Sequence, residues 1–487
     1  MPAKGAFSLL CIAKLTFIRP FNIVLSSQVA ALLSLMKKNS RAYYMCICLC
    51  LVWYTFFFFC LFSSQTFRAF QFRMADIFLV IVLAASTAQS LPSLLGLLTF
   101  GSPELQDQKL LENLNTRGWP TKCKVIFCYV SVGKNRDTLQ RSIEETQRVL
   151  KKYSVLYEIE IVTEIDVSSC FQNSSAHHFL VVPSGYQTQN ISAYKARALQ
   201  YAIEQRLKRY RADELDKIWV FHSDEETTLT DSCVGGLGEF VGDQANLKSC
   251  GAGEILYNLR TSEVPFLIYA ADCQRTGDDL GRFRFQYKIF QAPVFGMHGS
   301  FLVVPASIER DYGFDFGAKG SITEDAYFGF ISSTHGVPFK WISGHVREQS
   351  PTTFYDFLKQ RSRWIIGLLF LCREPKVSLK KRIFLFSYLF FWRITVLGFT
   401  LVNLILAFRP SSIYIFLCLM IWGIMSSVAL IGALRNKKED CHPLTISIVF
   451  HMVLVVLLLP ISCLMETVAL LYALLRPSYG FYVIKKY

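Results

Sequence analysis

Long apolar runs, almost free of charge, bracket a middle stretch that reads as water-soluble, and they limit the folds open to this chain. A helix needs about 20 apolar residues to cross the hydrocarbon of a bilayer. Residues 42–62, with Phe56-Phe57-Phe58-Phe59 inside them, meet that length, as do residues 77–100, softened by Gln89 and Pro92. Beyond the middle, 383–408, 413–434 and 443–475 are apolar again. The last is too long for one simple span, and Pro460 is expected to split it into a helix and a re-entrant or short piece. The stretch from Met74 to Ser90 also has the look of a signal peptide cleaved after Ala88, although a spanning run already precedes it. Residues 6–36, interrupted by Lys14, Arg19 and Pro20, are expected on a membrane surface or outside any folded unit. Composition agrees with membrane segments: 52% of residues are hydrophobic and only 18% charged.

Basic residues give the orientation. Lys37, Lys38 and Arg41 precede the first span, and Arg435, Lys437 and Lys438 separate the last two. Both groups and the soluble middle then share the cytosolic side. Most of the net charge of +14 is explained as membrane-flanking. No zinc-finger spacing and no long Lys/Arg run points to nucleic acid. The fifteen cysteines are odd in number and carry no CxxC pair, which suggests a reduced protein without a zinc site. On the cytosolic side the sequons at Asn173 and Asn190 would stay unmodified.

Between roughly Leu105 and Val346, apolar strands alternate with polar helical stretches. The patterns predict strands over 124–130, 157–163, 179–182 and 218–221, with helices over 137–152 and 192–210. This order predicts an α/β domain with a mostly parallel sheet, whose ligands bind beyond the carboxyl ends of the strands. After it, Ser350-Pro351 reads as a cap and first residue of a helix over 352–371.

Four short motifs could carry chemistry. Asp224-Glu225-Glu226 follows the fourth strand; carboxylates one residue apart can hold one divalent ion, although a solvated turn would look the same. Glu324 and Asp325 lie in GSITEDAYFGF. Ser321 and Glu324 fit a capping box, which leaves Asp325 as a possible general base. Gln360, Arg363 and Trp364 fall on one helix face, able to bind phosphate and stack on a sugar, or simply to sit at a membrane interface. Lys195, opening the basic helix, is placed to meet a phosphate or to remain solvated.

Their joint order (KAR, an acidic cluster after a strand, TED, QxxRW, then apolar helices) resembles membrane-bound inverting glycosyltransferases of family 2. The stretches ISAYKARALQYAIE, VFHSDEETTLT, FRFQYKIF, HGSFLVV, GSITEDAYFGF, SPTTFYDFLKQRSRWIIGL and GFYVIKKY are most similar to egghead-type β-1,4-mannosyltransferases. The resemblance implies a GT-A domain inserted between N- and C-terminal transmembrane helices. It implies that Asp224 and Glu226 hold Mg²⁺ or Mn²⁺ and the nucleotide diphosphate, with Asp325, beside Glu324, as the base. Lys195, Glu164 and Arg363 would contact the donor, and Gln360 and Trp364 the acceptor. Glu164 stands where an Asp is usual, and Ser131-Val132-Gly133-Lys134 departs from the usual Thr-Arg-Gly, so the donor is less defined than the chemistry.

The expected reaction moves a hexose, from GDP-mannose, to a lipid-linked acceptor such as glucosylceramide in a β-1,4 linkage. It would take place at the endoplasmic reticulum or Golgi in an integral, multi-pass protein facing the cytosol. The competing readings are a processive polysaccharide synthase using a UDP-sugar, and a non-catalytic membrane scaffold. The expected division is a loosely defined 1–41, two spans in 42–104, a catalytic domain over 105–350, an interfacial helix over 351–380, and further spans with a short tail in 381–487.

Overall fold

The computed structural model describes residues 74–119, 123–171, 176–391, 412–438, 446–477, 480, 482, 484 and 486. The span expected over 42–62, residues 6–36, the basic residues before Ala42, the sequon at Asn173 and most of the 383–408 run lie outside them.

Strand β1 (Lys124–Ser131) shows why this chain makes a sheet with two covered faces. Val125, Phe127 and Tyr129 point into one core, and Ile126 and Cys128 into another. A period of two with both faces apolar is the pattern of a strand buried on both sides. Its neighbours are β2 (Tyr157–Thr163), β3 (His177–Val181) and β4 (Ile218–Asp224). The four run parallel in the order β3-β2-β1-β4.

Beyond them the sheet continues with β5 (Thr228–Leu229), β6 (Cys250–Leu256), β7 (Leu302–Pro305) and β8 (Phe339–Arg347). The full order among the described residues is β3-β2-β1-β4-β7-β6-β8-β5. Here β6 and β8 run parallel to each other and in the same direction as the first four strands, so the expected mostly parallel sheet holds for six of the eight strands, with two exceptions in this half. β7 runs antiparallel to both β4 and β6, and β5 runs antiparallel to β8, so the sheet is mixed. Regular strand-helix alternation, the signal for parallel pairing, covers only the first four strands; β7 is reached by a loop along the site.

The helices are α1 (Met74–Thr99), α2 (Pro103–Arg117), α3 (Arg136–Lys152), α4 (Tyr194–Arg209), α5 (Asp231–Gly242) and α6 (Phe266–Asp278). They continue with α7 (Ala306–Tyr312), α8 (Glu324–Thr334), α9 (Phe354–Leu371), α10 (Ser412–Lys438) and α11 (Ile446–Leu475). α3 and α5 cover one face of the sheet through Leu139, Ile143, Val234 and Leu237. α4 covers the other through Ala198, Leu199, Ala202 and Ile203. A separate helical core joins α6, α10 and α11 with the end of α1. There α6 and α10 meet backbone to backbone: a Cβ on Gly432 would lie 1.8 Å from the Cys273 carbonyl oxygen. Small residues permit that closeness.

Phe450–Leu475, within α11, is the one stretch among the described residues long and apolar enough to cross a membrane, with mean hydropathy 2.4. α11 runs unbroken through Pro460, which corrects the expected split. Proline removes one donor, and neighbouring packing tolerates this in apolar helices.

Two helix starts also differ from expectation. α9 is capped by Thr353, whose Oγ1 accepts from the Asp356 amide at 3.1 Å, while Ser350 is buried upstream. α8 begins at Glu324 with Thr323 in the capping position, so no Ser-x-x-Glu box forms. Ser321 Oγ instead accepts from the Ala193 amide at 2.8 Å, tying this turn to the start of α4.

Candidate active site

β1 and β4 end in register, Val130 opposite Asp224, and a cavity of about 450 Å³ opens beyond those carboxyl ends. Strand β4 carries Asp224 out of the core because Trp219, Val220 and Phe221 anchor the residues before it. Each residue singled out in the sequence lines this cavity: Glu164, Lys195, Asp224, Glu226, Glu324, Asp325, Gln360, Arg363 and Trp364.

Lys195 is the electrostatic centre. Its ammonium donates to Asp224 Oδ1 and lies 3.7 Å from Glu324 Oε1. Burial alone would lower its pKa, yet Asp224, Glu324 and Asp325 hold it well above the ordinary lysine range. Burial likewise opposes the charge on Asp224, but Lys195, Arg363 and Lys486 outweigh it and keep that carboxyl below its ordinary value. Glu164, just past β2, is paired with Arg197 Nη2 at 2.7 Å.

Asp325 stands in the first turn of α8, its Oδ1 accepting from the Ala326 amide at 2.8 Å. Burial and the neighbouring Glu324 push its carboxyl up to about 7, against the pull of Lys195 and Arg363. A carboxyl at that value is suited to accept a proton near neutral pH. Gly299 leaves room beside it: a Cβ there would sit 3.1 Å from Asp325 Oδ2 and 3.4 Å from Lys195 Nζ.

α9 brings the third group. Gln360 Oε1 accepts from Arg361 Nη1 at 2.7 Å, and Arg363 Nη1 donates to the Ile322 carbonyl at 3.0 Å, next to the TED turn. The Trp364 ring has the Arg275 guanidinium 4.5 Å from its centroid and that of Arg361 at 4.6 Å. Cations over an indole fix its plane.

Several further groups, to which the sequence motifs gave no role, line the cavity. Glu348 enters from the end of β8, and burial with Asp224 and Glu226 raises its carboxyl to about 7. Glu225 accepts from Ser131 Oγ at 2.5 Å and from Asn135, and burial with Glu226 also raises it to about 7. Lys486 lies 2.7 Å from Glu226 Oε1 and donates to the Gln349 carbonyl at 2.7 Å. The basic pair in the otherwise apolar GFYVIKKY was the available signal for Lys486. Nothing local marked Glu348, which depends on how β8 pairs with β6.

A divalent ion would find hard oxygen donors in Asp224 and Glu226. Among the described residues no cluster of three or more His, Cys, Asp or Glu is spaced to hold an ion unaided. Mg²⁺ commonly takes one or two carboxylates and completes its shell with phosphate and water. Burial first, and then repulsion from Asp224 and Glu226, raises the carboxyls of Glu225 and Glu348, and a cation beside Asp224 and Glu226 would relieve the second of these. The donor set therefore fits such an ion.

Residues 219–483 match the family model described as glycosyl transferase family group 2. The β-1,4-mannosyltransferase bre-3 of Caenorhabditis elegans is 31% identical over 309 residues, which is 63% of this chain and 66% of that protein. The β-1,4-mannosyltransferase egh of Drosophila melanogaster is 32% identical over 339 residues, covering 67% and 70%. The chain thus spans just under two thirds of the worm relative's length. Among solved structures, mannosyl-3-phosphoglycerate synthase from Rubrobacter xylanophilus aligns with a TM-score of 0.32 at 12% identity, over 56% of this chain and 80% of its own.

Proposed function

This chain belongs to glycosyl transferase family group 2, and from that premise we propose that it is an inverting mannosyltransferase acting on a lipid-linked sugar at a membrane surface. The observation that carries the reading is the convergence of Lys195, Asp224, Asp325, Arg363 and Trp364 on one cavity. These residues come from four separate segments, and a ligand with a diphosphate at one end and a reacting sugar at the other uses all of them.

In the proposed reaction the donor diphosphate lies at the carboxyl ends of β1 and β4. Lys195 and Arg363 neutralise its charge as the bond to the anomeric carbon breaks. Such fixed charges are often the largest catalytic term. The acceptor hydroxyl attacks that carbon from the opposite side, and Asp325 takes its proton. General-base assistance of this kind is worth ~10²–10⁴-fold. Glu324 holds the charge on Lys195 and raises the proton affinity of Asp325. Trp364, its plane held by Arg275 and Arg361, borders the acceptor ring together with Gln360. Glu164, with Arg197, borders the donor's base end. Mg²⁺ or Mn²⁺ held by Asp224 and Glu226 would supply further positive charge to the diphosphate. Lys486 occupies the Glu226 carboxylate in this structure.

GDP-mannose is the favoured donor because both relatives are named β-1,4-mannosyltransferases. The apolar α11 and the helices packed with it support a membrane-embedded acceptor such as glucosylceramide. We extend this to a multi-pass protein of the endoplasmic reticulum or Golgi whose catalytic domain, over 105–350, faces the cytosol. The QxxRW segment, 351–380, would lie at the interface. The test is transfer by purified membranes offered UDP- and GDP-sugars with glucosylceramide. A lipid-extractable product carrying one β-1,4-mannose is expected. An insoluble polymer, or transfer only from UDP-sugars, would contradict the reading.

A further inference from the structure

The segment after α11 returns to the cavity, and alternate side chains of it face inward: Tyr482, Ile484 and Lys486 all line the wall. A spacing of two is that of extended backbone laid along a surface. The segment is held at three points, on different elements. The Tyr482 ring meets Tyr355 of α9 edge-on, with 5.8 Å between centroids. The Ile484 carbonyl accepts from Asn135 Nδ2, at the start of α3, at 3.2 Å. Lys486 Nζ lies 2.7 Å from Glu226 Oε1 and donates to the Gln349 carbonyl, just past β8, at 2.7 Å. Asn135 also donates to Glu225, so the segment grips the acidic cluster through both Glu225 and Glu226.

Lysine side chains are mostly solvated and are rarely buried unless paired. That of Lys486 is 6% exposed, and that of Glu226 10%. Burial alone would lower its pKa, yet Glu226, Glu348 and Asp224 keep the ammonium charged, above the ordinary lysine range. Its charge therefore serves the same carboxylates that a divalent ion would use. The two cations compete. A doubly charged ion on Glu226 repels an ammonium held against the same carboxylate, and a buried site screens that repulsion poorly.

We propose that this segment is an autoinhibitory strap: Lys486 stands in for the divalent ion while the site is at rest, and loading of the ion expels it and lifts Ile484 and Tyr482 from the cavity. The inference rests on the reading of Asp224 and Glu226 as the ion's ligands. With the strap down, the diphosphate end is neutralised and covered. With the strap lifted, ion and diphosphate take the place of the ammonium.

The experiment is backbone hydrogen exchange on the full chain in nanodiscs, read over 480–486 with Mn²⁺, with GDP, with both and with neither. Exchange reports local opening directly. It is expected to rise severalfold with Mn²⁺, alone or with GDP, and to stay level with GDP alone. In Lys486→Met the strap should exchange fast without any ion. That variant should also bind Mn²⁺ roughly tenfold tighter, the factor by which a strap closed roughly nine-tenths of the time masks the site. Unaltered exchange over β1 and β4 reports that the variant is folded. Mn²⁺ that binds while the strap stays protected would overturn the proposal, because ion and ammonium would then coexist. Equal Mn²⁺ affinity in the two chains, or none in either, would overturn it too. Turnover of the unaltered chain reads the transferase proposal separately. A strap that opens with Mn²⁺ in a chain that moves no mannose sinks that proposal and upholds this one; mannose transfer under a strap that never opens does the reverse.

Discussion

Asp325 and Gly299 show how tightly single residues constrain the site. The Asp325 carboxyl is raised to about 7 by burial and Glu324. A base must have lost its proton, so turnover is predicted to climb as pH rises through about 7 and then level. Asp325, Glu225 and Glu348 share that raised value. Between the ordinary carboxyl value near ~4 and about 7 the folded chain therefore holds more protons than the unfolded one. Ligand-free stability should fall as pH rises through that window. Flat stability over it would contradict the burial argument. Gly299→Ala would place a methyl 3.1 Å from Asp325 Oδ2. We expect a folded protein whose turnover drops ~10²-fold, the scale of a misplaced reacting group. Wild-type turnover would show that the base has room to spare.

At the level of elements, α8 and α9 act as one unit. A Cβ on Gly367 of α9 would come within 2.4 Å of Thr323, the residue before the TED acids. Gly367→Ala should therefore cost about 1–3 kcal/mol by overpacking. Because α9 carries Arg363 and Trp364, turnover should fall with it; a thermal melt and an assay on the same sample check both. This contact bears on what could be read in advance. β1 and β4 were legible as short continuous apolar runs, β2 because its apolar residues alternate, and α3 as a polar helical stretch between them. β7 was not, since Leu302–Pro305 is four residues of plain apolar sequence whose direction depends on a distant loop. The cap of α8 was misread because Ser321 spends its hydroxyl on Ala193, a long-range bond invisible to a local motif. That the nine named residues line one cavity could be anticipated from motif order and, for Glu164, from the resemblance; Glu348 could not, because it acquires its place from the pairing of β8 with β6.

Across the whole molecule, buried ion pairs fasten the apolar helices to the catalytic sheet. Arg361 of α9 reaches Asp272 of α6 at 2.5 Å and Glu466 of α11 at 2.7 Å. Arg435 of α10 reaches Glu254 of β6 at 3.0 Å and also pairs with Asp107 of α2. Breaking a buried pair while leaving its partner charged costs ~3–5 kcal/mol. Arg361→Leu should lower the melting temperature by that equivalent, and adding Asp272→Asn should restore part of it. An unchanged melt would mean that α9 and α11 are joined by apolar packing alone.

The account stands on Asp224 serving the donor diphosphate and Asp325 the acceptor hydroxyl within one cavity. GDP affinity and transfer rate, measured side by side in Asp224→Asn and Asp325→Asn, address this most directly. Asp325→Asn is predicted to bind GDP like the unaltered chain while transferring ~10²–10⁴-fold more slowly. Asp224→Asn is predicted to lose GDP affinity. Undiminished transfer by Asp325→Asn, or undiminished GDP binding by Asp224→Asn, would contradict it.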